Sequence, residues 1–167
     1  GATGRVGQHL VDQLVKRDAK VRILTRNPDK IKFHDSVEIA SGDLLDIDSL
    51  RAAFRGVRSL FLLNAVTGDE FTQALITLNI AREQGVERVV YLSVFDADQA
   101  VNVPHFAVKY GAERMLEQMG FSATILRPAY FIDNELMIKD VIFNHHVYPM
   151  PIGSKGIAMV DVRDIAE

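Results

Sequence analysis

The sequence predicts an α/β fold with a doubly wound parallel sheet, and three observations carry this prediction. Short apolar runs alternate with segments of helical periodicity along most of the 167 residues. Three times a glycine separates a helical segment from the apolar run after it, at Gly56, Gly85 and Gly120. A glycine-rich turn at residues 1–7 leads directly into the first helical segment. Because helices that cross between buried strands pair those strands in parallel, the alternation favours βαβ units.

The first third of the chain is predicted to contain a helix, two strands and a second helix. The first helix begins at about Arg5, because apolar residues recur at helical spacing from Val6 to Val15. Strands are predicted at 21–25 and 37–40, since each run is rich in apolar or β-branched residues and ends at turn residues. The second helix begins after Asp46, whose carboxylate suits an N-cap, and it ends at Gly56.

In the middle of the chain, predicted strands and helices alternate one by one. The apolar runs at 60–63 and 89–92 are continuous, which is typical of strands covered on both faces, and a further strand is predicted at 123–126. Thr67 and Glu70 have the spacing of a capping box, which predicts a helix that begins there and ends at Gly85. The next helix ends at Gly120, and Pro128 stops the strand that follows it. After residue 130 the pattern weakens, and loops around short strands are expected until a helix begins within 161–167.

Two regions are expected along the chain. Residues 1–130 are predicted to form a dinucleotide-binding domain, and residues 131–167 the start of a smaller C-terminal substrate-binding region. A glycine-rich turn of this type normally follows a strand, and none precedes Gly1. The sequence is therefore expected to be an excerpt that lacks the first strand and part of the C-terminal region.

Composition narrows the class of protein. Hydrophobic residues make up 48% and charged residues 25%, as in ordinary globular domains, and the net charge of −3 gives no electrostatic case for nucleic-acid binding. There is no cysteine, which excludes disulfides and thiolate chemistry. No apolar run approaches the roughly 18 residues that a membrane span needs, so no membrane partner is expected and a cytoplasmic location is the default.

Gly1, Gly4 and Gly7 form the pattern GxxGxxG immediately before the first helix. In dinucleotide-binding proteins the first glycine permits a tight turn, the second lets the backbone approach the pyrophosphate, and the third lets the helix pack closely. The free N–H groups and positive dipole end of that helix then face the phosphates. Three glycines also suit a simple surface turn, but the repeated βα alternation favours a cofactor cradle made by Gly1, Thr3, Gly4, Arg5, Val6 and Gly7.

The end of the 21–25 strand indicates which dinucleotide binds. NAD-preferring proteins place a carboxylate there to bind the ribose 2′-hydroxyl, whereas this chain has Arg26. A guanidinium pairs well with a 2′-phosphate, and Arg5 and Lys30 are candidates to assist. The prediction is NADP(H) rather than NAD(H), with a solvated strand-end charge as the alternative role of Arg26.

Two further loops are predicted to contact the cofactor. Asp43, beside Leu44, follows the second strand and suits a hydrogen bond from the adenine amine, although it equally suits a cap on the next helix. Asn64 follows the strand at 60–63, and the carboxyl ends of parallel strands are where ligands bind. A plain turn role for Asn64 is an equal alternative.

Several short motifs occur in one order and extend over essentially the whole chain. Together they resemble the NmrA-like branch of the atypical short-chain dehydrogenases/reductases: GATGRVG at 1–7, LTRNP at 24–28, GDL at 42–44, YLS at 91–93, ILRPAYF at 125–131 and VDVRDIA at 160–166. The resemblance implies a Rossmann-type domain with a smaller C-terminal substrate region. It also implies one of two activities, since some members are NAD(P)H-dependent reductases and others are regulators that bind NAD(P) without turning it over.

The wider superfamily uses a Tyr-x-x-x-Lys pair, in which the tyrosine moves a proton and the lysine holds the nicotinamide ribose. No lysine of this chain has a tyrosine four residues before it; His105 occupies that position relative to Lys109. In one interpretation Lys109 binds the ribose and His105 donates the proton, or hydride moves to a quinone without a tyrosine. In the other, the site binds cofactor without chemistry, His105 is a capping or surface residue, and Lys109 is an ordinary exposed lysine.

The remaining candidates lie at two strand ends. Ser93 follows the 89–92 strand, where a substrate-polarising serine is often found, although a strand-end serine bonded to backbone is equally expected. Pro128 and Tyr130 follow the next strand and are predicted to form a wall beside the nicotinamide, unless Tyr130 belongs to the core. His145 and His146 are adjacent and lack a third ligand, so no metal site is predicted.

The function that the sequence favours is an NADP(H)-dependent oxidoreductase that transfers hydride to a small carbonyl or quinone-like acceptor. The alternative is a non-catalytic NAD(P) sensor that acts through a protein partner. The missing tyrosine favours the sensor only modestly, because reductases of the branch it resembles also work without that residue.

Overall fold

The computed structural model describes residues 1–167 as six helices and seven strands. The helices are α1 (Arg5–Lys16), α2 (Ile47–Phe54), α3 (Glu70–Glu83), α4 (Pro104–Met119), α5 (Lys139–His145) and α6 (Val162–Ala166). The strands are β1 (Val21–Thr25), β2 (Val37–Ser41), β3 (Ser59–Leu62), β4 (Arg88–Leu92), β5 (Ser122–Leu126), β6 (Tyr130–Phe131) and β7 (Met159–Val160). Short 3₁₀ turns occupy Pro28–Lys30 and Ile132–Met137. Not one of these helices combines the length and the apolar character that crossing a membrane requires.

Every strand pair is parallel, which confirms the predicted α/β fold class. β1 pairs with β2, β3 with β4 and β4 with β5, while β6 pairs with β7. The sheet is divided, however, because β1 and β3 are not hydrogen-bonded to each other. A cavity of about 720 Å³ lies between these two strands and is lined by their apolar residues.

Most of the buried hydrophobic side chains form one core around β3 and β4. Leu50 and Phe54 of α2, Leu78 of α3 and Leu116 of α4 pack there with Tyr91 of β4. A smaller core joins α1 to the other part of the sheet through Val11, Ile23 and Val37. The apolar run of β4 is largely buried, as its composition predicts, whereas only Leu62 of β3 is fully buried.

The predicted helix ends are confirmed where glycine was the signal. Gly85 and Gly120 follow α3 and α4 with φ of +78° and +71°, a left-handed conformation that favours glycine. The interpretation of residues 131–160 was incomplete, because α5 forms where loops were expected. Its seven residues contain no fully buried side chain, so the sequence carries only a weak helical stripe there.

The predicted capping box at the start of α3 is wrong. The N-cap is Asp69, which makes no side-chain cap, and Thr67 contributes only its backbone carbonyl, which accepts from the Glu70 N–H at 3.1 Å. The Glu70 side chain turns into the protein instead of back towards the helix end. Its carboxylate contacts His105 and Lys109 on α4, as described below.

The cap on α2 provides a test of local stability. The Asp46 carboxylate accepts from the backbone N–H groups of Asp48 and Ser49, as its predicted N-cap role requires. We expect Asp46→Ala to lower the free energy of unfolding by about 1 kcal/mol, measured by urea denaturation. Asp46→Asn keeps an acceptor oxygen, so it is expected to lower the free energy of unfolding by only a small part of this amount. Equal losses in the two variants would contradict the capping role.

Candidate functional site

The glycine turn and the start of α1 form a tight backbone cradle. The Gly4 N–H donates to the Gly1 carbonyl at 3.0 Å, and α1 begins at Arg5 with Gly4 as an N-cap that has no side chain. A Cβ on Gly7 would lie 2.2 Å from the Gly1 carbonyl oxygen and 2.6 Å from the Ala2 Cα. No side chain fits there, so the close approach of α1 to the turn depends on glycine. The first N–H groups of α1 have no intrahelical partner and are available to an anion.

The end of β3 lies against this cradle. A Cβ on Gly1 would be 3.2 Å from the Leu63 side chain and carbonyl, so the turn sits beside the residue that follows β3. The next residue, Asn64, is buried, and neither atom of its amide has a hydrogen-bond partner. An unpartnered buried amide costs free energy unless a ligand or water satisfies it. The cradle and this amide fit a dinucleotide that lies across the carboxyl ends of the strands.

Arg26 and Asp43 face each other at the ends of β1 and β2. Their closest atoms, Arg26 Nε and Asp43 Oδ2, are 3.9 Å apart, and the Arg26 side chain is 78% exposed. Asp43 Oδ1 accepts from the Leu45 N–H at 2.9 Å, while Asp46 supplies the cap of α2, so the alternative cap role of Asp43 is wrong. Leu44 packs against the main core. Arg26 therefore forms only a long, exposed ion pair with Asp43, and it lines the same cavity as Gly1 and Thr3.

Arg5 and Lys30 do not join Arg26. The Arg5 guanidinium donates to the Asp133 carbonyl and lies 3.9 Å from the Asp133 carboxylate, so it ties the start of α1 to the segment after β6. Lys30 lines a separate hollow of about 520 Å³ with Thr3. Of the three predicted cations, the structure brings only Arg26 to the Asp43 loop.

His105 and Lys109 share one buried carboxylate, that of Glu70 on α3. His105 Nδ1 lies 2.9 Å from Glu70 Oε2, and Lys109 Nζ lies 3.0 Å from Glu70 Oε1. The Lys109 ammonium also donates to the Leu92 carbonyl at 3.0 Å and sits 5.1 Å from the centre of the Tyr91 ring. Side-chain exposure is 2% for Glu70, 4% for Lys109 and 26% for His105. Lys109 is thus not the exposed helix lysine of the alternative interpretation.

Burial dominates the electrostatics of this cluster. It lowers the pKa of the Lys109 ammonium, and the ion pair with Glu70 opposes that shift. Burial also raises the pKa of Tyr91 well above its ordinary value, and the nearby carboxylates of Glu70 and Glu113 add to the rise. Tyr91 therefore stays protonated, and its hydroxyl has no hydrogen-bond partner. The titratable group of the cluster that reaches the surface is the His105 imidazole.

Ser93 belongs to a second buried network rather than to the His105 cluster. Its hydroxyl donates to Glu113, which is fully buried on α4. Arg127 donates to the same carboxylate through Nε at 3.0 Å and through a terminal nitrogen at 2.6 Å, and its other terminal nitrogen donates to Asp98 at 3.1 Å. The ion pair with Glu113 raises the pKa of Arg127. The hydroxyl of Ser93 is thus held towards the core side of β4.

Pro128 and Tyr130 lie beside the loop that follows β4. The Pro128 carbonyl accepts from the Phe95 N–H at 2.9 Å, which joins the ends of β4 and β5. Tyr130 is half-buried in β6, and burial together with Glu135 raises its pKa. Both residues follow the carboxyl end of β5, on the side of the sheet where the other candidates lie.

Sequence reasoning missed the carboxylates that organise both clusters. Glu70 was assigned to a helix cap and Glu113 was not singled out. A signal existed for each, since Glu70 shares a stripe with buried Ala74, Thr77 and Ala81, and Glu113 follows Lys109 by one helical turn. A charged residue on an apolar helical stripe indicates a buried ion pair.

Comparisons with known proteins show the family and the fold of the chain. A family model described as NAD(P)H-binding matches residues 1–162. NAD(P)H azoreductase of Xenophilus azovorans and quinone oxidoreductase 2 of Escherichia coli K12 are each 26% identical to this chain over 99% of its length. The structure of the NADPH-dependent quinone oxidoreductase of Escherichia coli in complex with NADPH superposes with a TM-score of 0.90 at 26% identity, over 99% of this chain and 60% of that one. The chain spans 59% of the length of the two curated relatives.

Proposed function

The chain belongs to the NAD(P)H-binding family, and on that premise we propose that it is the cofactor-binding part of an NADP(H)-dependent oxidoreductase. The acceptor is a small carbonyl or quinone-like molecule. The observation that carries the proposal is the cradle at Gly7, whose backbone approach leaves room for no side chain. The similarity to a quinone oxidoreductase and an azoreductase supports reduction of an organic acceptor.

Each part of the cofactor has a candidate place in this chain. Gly1, Thr3, Gly4, Val6 and Gly7 surround the cradle for the pyrophosphate. Arg26 is placed for the 2′-phosphate, with Asp43 and Leu44 towards the adenine. Asn64 supplies an unpartnered amide, and Pro128 and Tyr130 flank the nicotinamide end. When bound, the reduced nicotinamide supplies the hydride, while the protein binds and orients the reactants.

Arg26 is expected to set the preference between the two dinucleotides. Arg26→Ala removes the exposed guanidinium that pairs with the 2′-phosphate, so affinity for NADPH is expected to fall about tenfold while affinity for NADH hardly changes. Dissociation constants from calorimetric titration of the intact protein check this. Arg17→Ala, which removes the same charge at the other end of α1, is the control and is expected to change neither constant. Wild-type protein that binds NADH as tightly as NADPH would rule out the assignment.

The oxidoreductase activity itself is tested by turnover. Intact protein is incubated with NADPH and a panel of quinones, aldehydes and azo compounds, and loss of the nicotinamide absorbance is followed together with formation of reduced product. We expect turnover with at least one acceptor of the panel. Tight cofactor binding with no acceptor reduced would instead support a redox sensor.

A further inference from the structure

We propose that Glu70 is a positioning residue that holds the His105 imidazole with Nδ1 inward, so that Nε2 delivers the proton that accompanies hydride transfer. This inference rests on the proposed oxidoreductase function. It adds a residue of α3 to a site otherwise built from α4 and the strand ends.

The geometry defines which nitrogen of His105 is available. A carboxylate accepts hydrogen bonds and donates none, so the 2.9 Å contact with Glu70 requires the hydrogen to be on Nδ1. Nε2 is then the nitrogen that points away from Glu70. His105 is 26% exposed whereas Glu70 is 2% exposed, so the imidazole is the part of the cluster that an acceptor and water can reach.

Lys109 holds the carboxylate in this position. Its ammonium is 4% exposed and lies 3.0 Å from both Glu70 Oε1 and the Leu92 carbonyl. The lysine is therefore engaged by its hydrogen bond to the Leu92 carbonyl and by its ion pair with Glu70, and it contacts the face of Tyr91. Because Oε1 faces Lys109, the other oxygen of Glu70 is left for His105.

The reaction needs a proton donor, and His105 held by Glu70 can supply that proton. Reduction of a carbonyl or quinone takes one hydride from the nicotinamide and one proton. The imidazolium of His105 gives its Nε2 proton to the acceptor oxygen and becomes neutral, and bound NADPH would supply the hydride and leave as NADP⁺. Water then reprotonates Nε2 through the exposed side of the ring. Glu70 keeps the hydrogen on Nδ1 throughout, because its carboxylate can only accept.

Glu70→Gln separates this role from simple packing, since the variant has the same shape. The Lys109 ammonium cannot accept a hydrogen bond, so the new amide turns its oxygen to Lys109 and its NH₂ to His105. Nδ1 must then accept, which moves the hydrogen of the neutral ring to Nε2. Nitrogen NMR of labelled protein reads this directly: we expect the Nδ1–H tautomer in the wild type and the Nε2–H tautomer in the variant.

Kinetics give a second measure of the same change. We expect kcat of Glu70→Gln to fall about 100-fold with little change in the KM for NADPH, because general acid catalysis contributes about 100-fold or more. Glu83→Gln is the matched control, an exposed glutamate on the same helix, and is expected to change neither the tautomer nor kcat.

The outcomes separate this inference from the proposed function. An Nε2–H tautomer in the wild type, which can be measured even if the variant fails to fold, would overturn the positioning role. So would an unchanged kcat in Glu70→Gln. Absence of turnover with every acceptor would overturn the oxidoreductase proposal and the proton-delivery step with it, while the tautomer would still report whether Glu70 orients the ring.

Discussion

Gly7→Ala is expected to weaken NADPH binding at least about 100-fold, equivalent to about 2.7 kcal/mol. The new Cβ would stand 2.2 Å from the Gly1 carbonyl oxygen, 2.6 Å from the Ala2 Cα and 2.8 Å from the Gly1 carbonyl carbon. All three atoms belong to the backbone of the turn, so no side-chain rotation relieves the clash. The turn has to move away from α1, and the cradle that faces the pyrophosphate opens.

Calorimetric titration with NADPH measures this effect, and another glycine of the chain provides the control. Gly68 has no atom within 4 Å of the position that a Cβ would take, so Gly68→Ala is expected to bind NADPH as the wild type does. Circular dichroism of both variants establishes whether the fold is retained. Binding of NADPH to Gly7→Ala with wild-type affinity would show that the turn is not the pyrophosphate cradle.

Arg127→Met is expected to lower the free energy of unfolding by about 3 kcal/mol, because it leaves a buried carboxylate without its cation. Glu113 is fully buried, and two nitrogens of Arg127 donate to it. Of the side chains that donate to the Glu113 carboxylate, only the Ser93 hydroxyl remains after the substitution. Arg127 is itself 36% exposed, which places the expected loss at the lower end for a buried pair.

Two further variants show whether the loss comes from the uncompensated charge. The double variant Glu113→Met with Arg127→Met removes both charges and is expected to recover much of the lost stability, since apolar replacement of a buried pair is often tolerated. Arg114→Met breaks an exposed pair with Glu117 on the same helix and is expected to cost no more than about 0.5 kcal/mol. Urea unfolding measures all three. A loss in Arg127→Met as small as that in Arg114→Met would contradict the account.

The parts of the fold that local sequence determines were predictable. Strand β1 matches the predicted 21–25 run residue for residue, because its β-branched residues end at Asn27-Pro28. Helices α1 and α4 follow from their apolar periodicity and from the glycine that ends α4. The cradle was predictable for the same reason, since its glycines lie within one short motif. The division of the sheet was not, because it depends on how β1 and β3 are placed relative to each other.

The candidate site was predictable only where its residues are neighbours in sequence. His105 and Lys109 are one helical turn apart, so their shared face could be inferred. Glu70 lies 35 residues before His105, and the contact between them exists only because α3 packs against α4. Its local spacing to Thr67 favoured a helix cap, but its carboxylate instead contacts Lys109 and His105 of α4. A contact between residues distant in sequence also explains the wrong prediction for Arg5. Its guanidinium was predicted to assist Arg26, but it pairs with Asp133 instead.

We propose that this chain binds NADP(H) and delivers its hydride to an acceptor. A single-turnover experiment tests this proposal most directly: intact protein with one equivalent of bound NADPH and no free cofactor is mixed with a quinone under anaerobic conditions. We expect the nicotinamide absorbance to disappear in one phase as an equivalent amount of quinol forms, and we expect Glu70→Gln to slow this phase. Bound NADPH that persists unchanged in the presence of every quinone and aldehyde tried would contradict it.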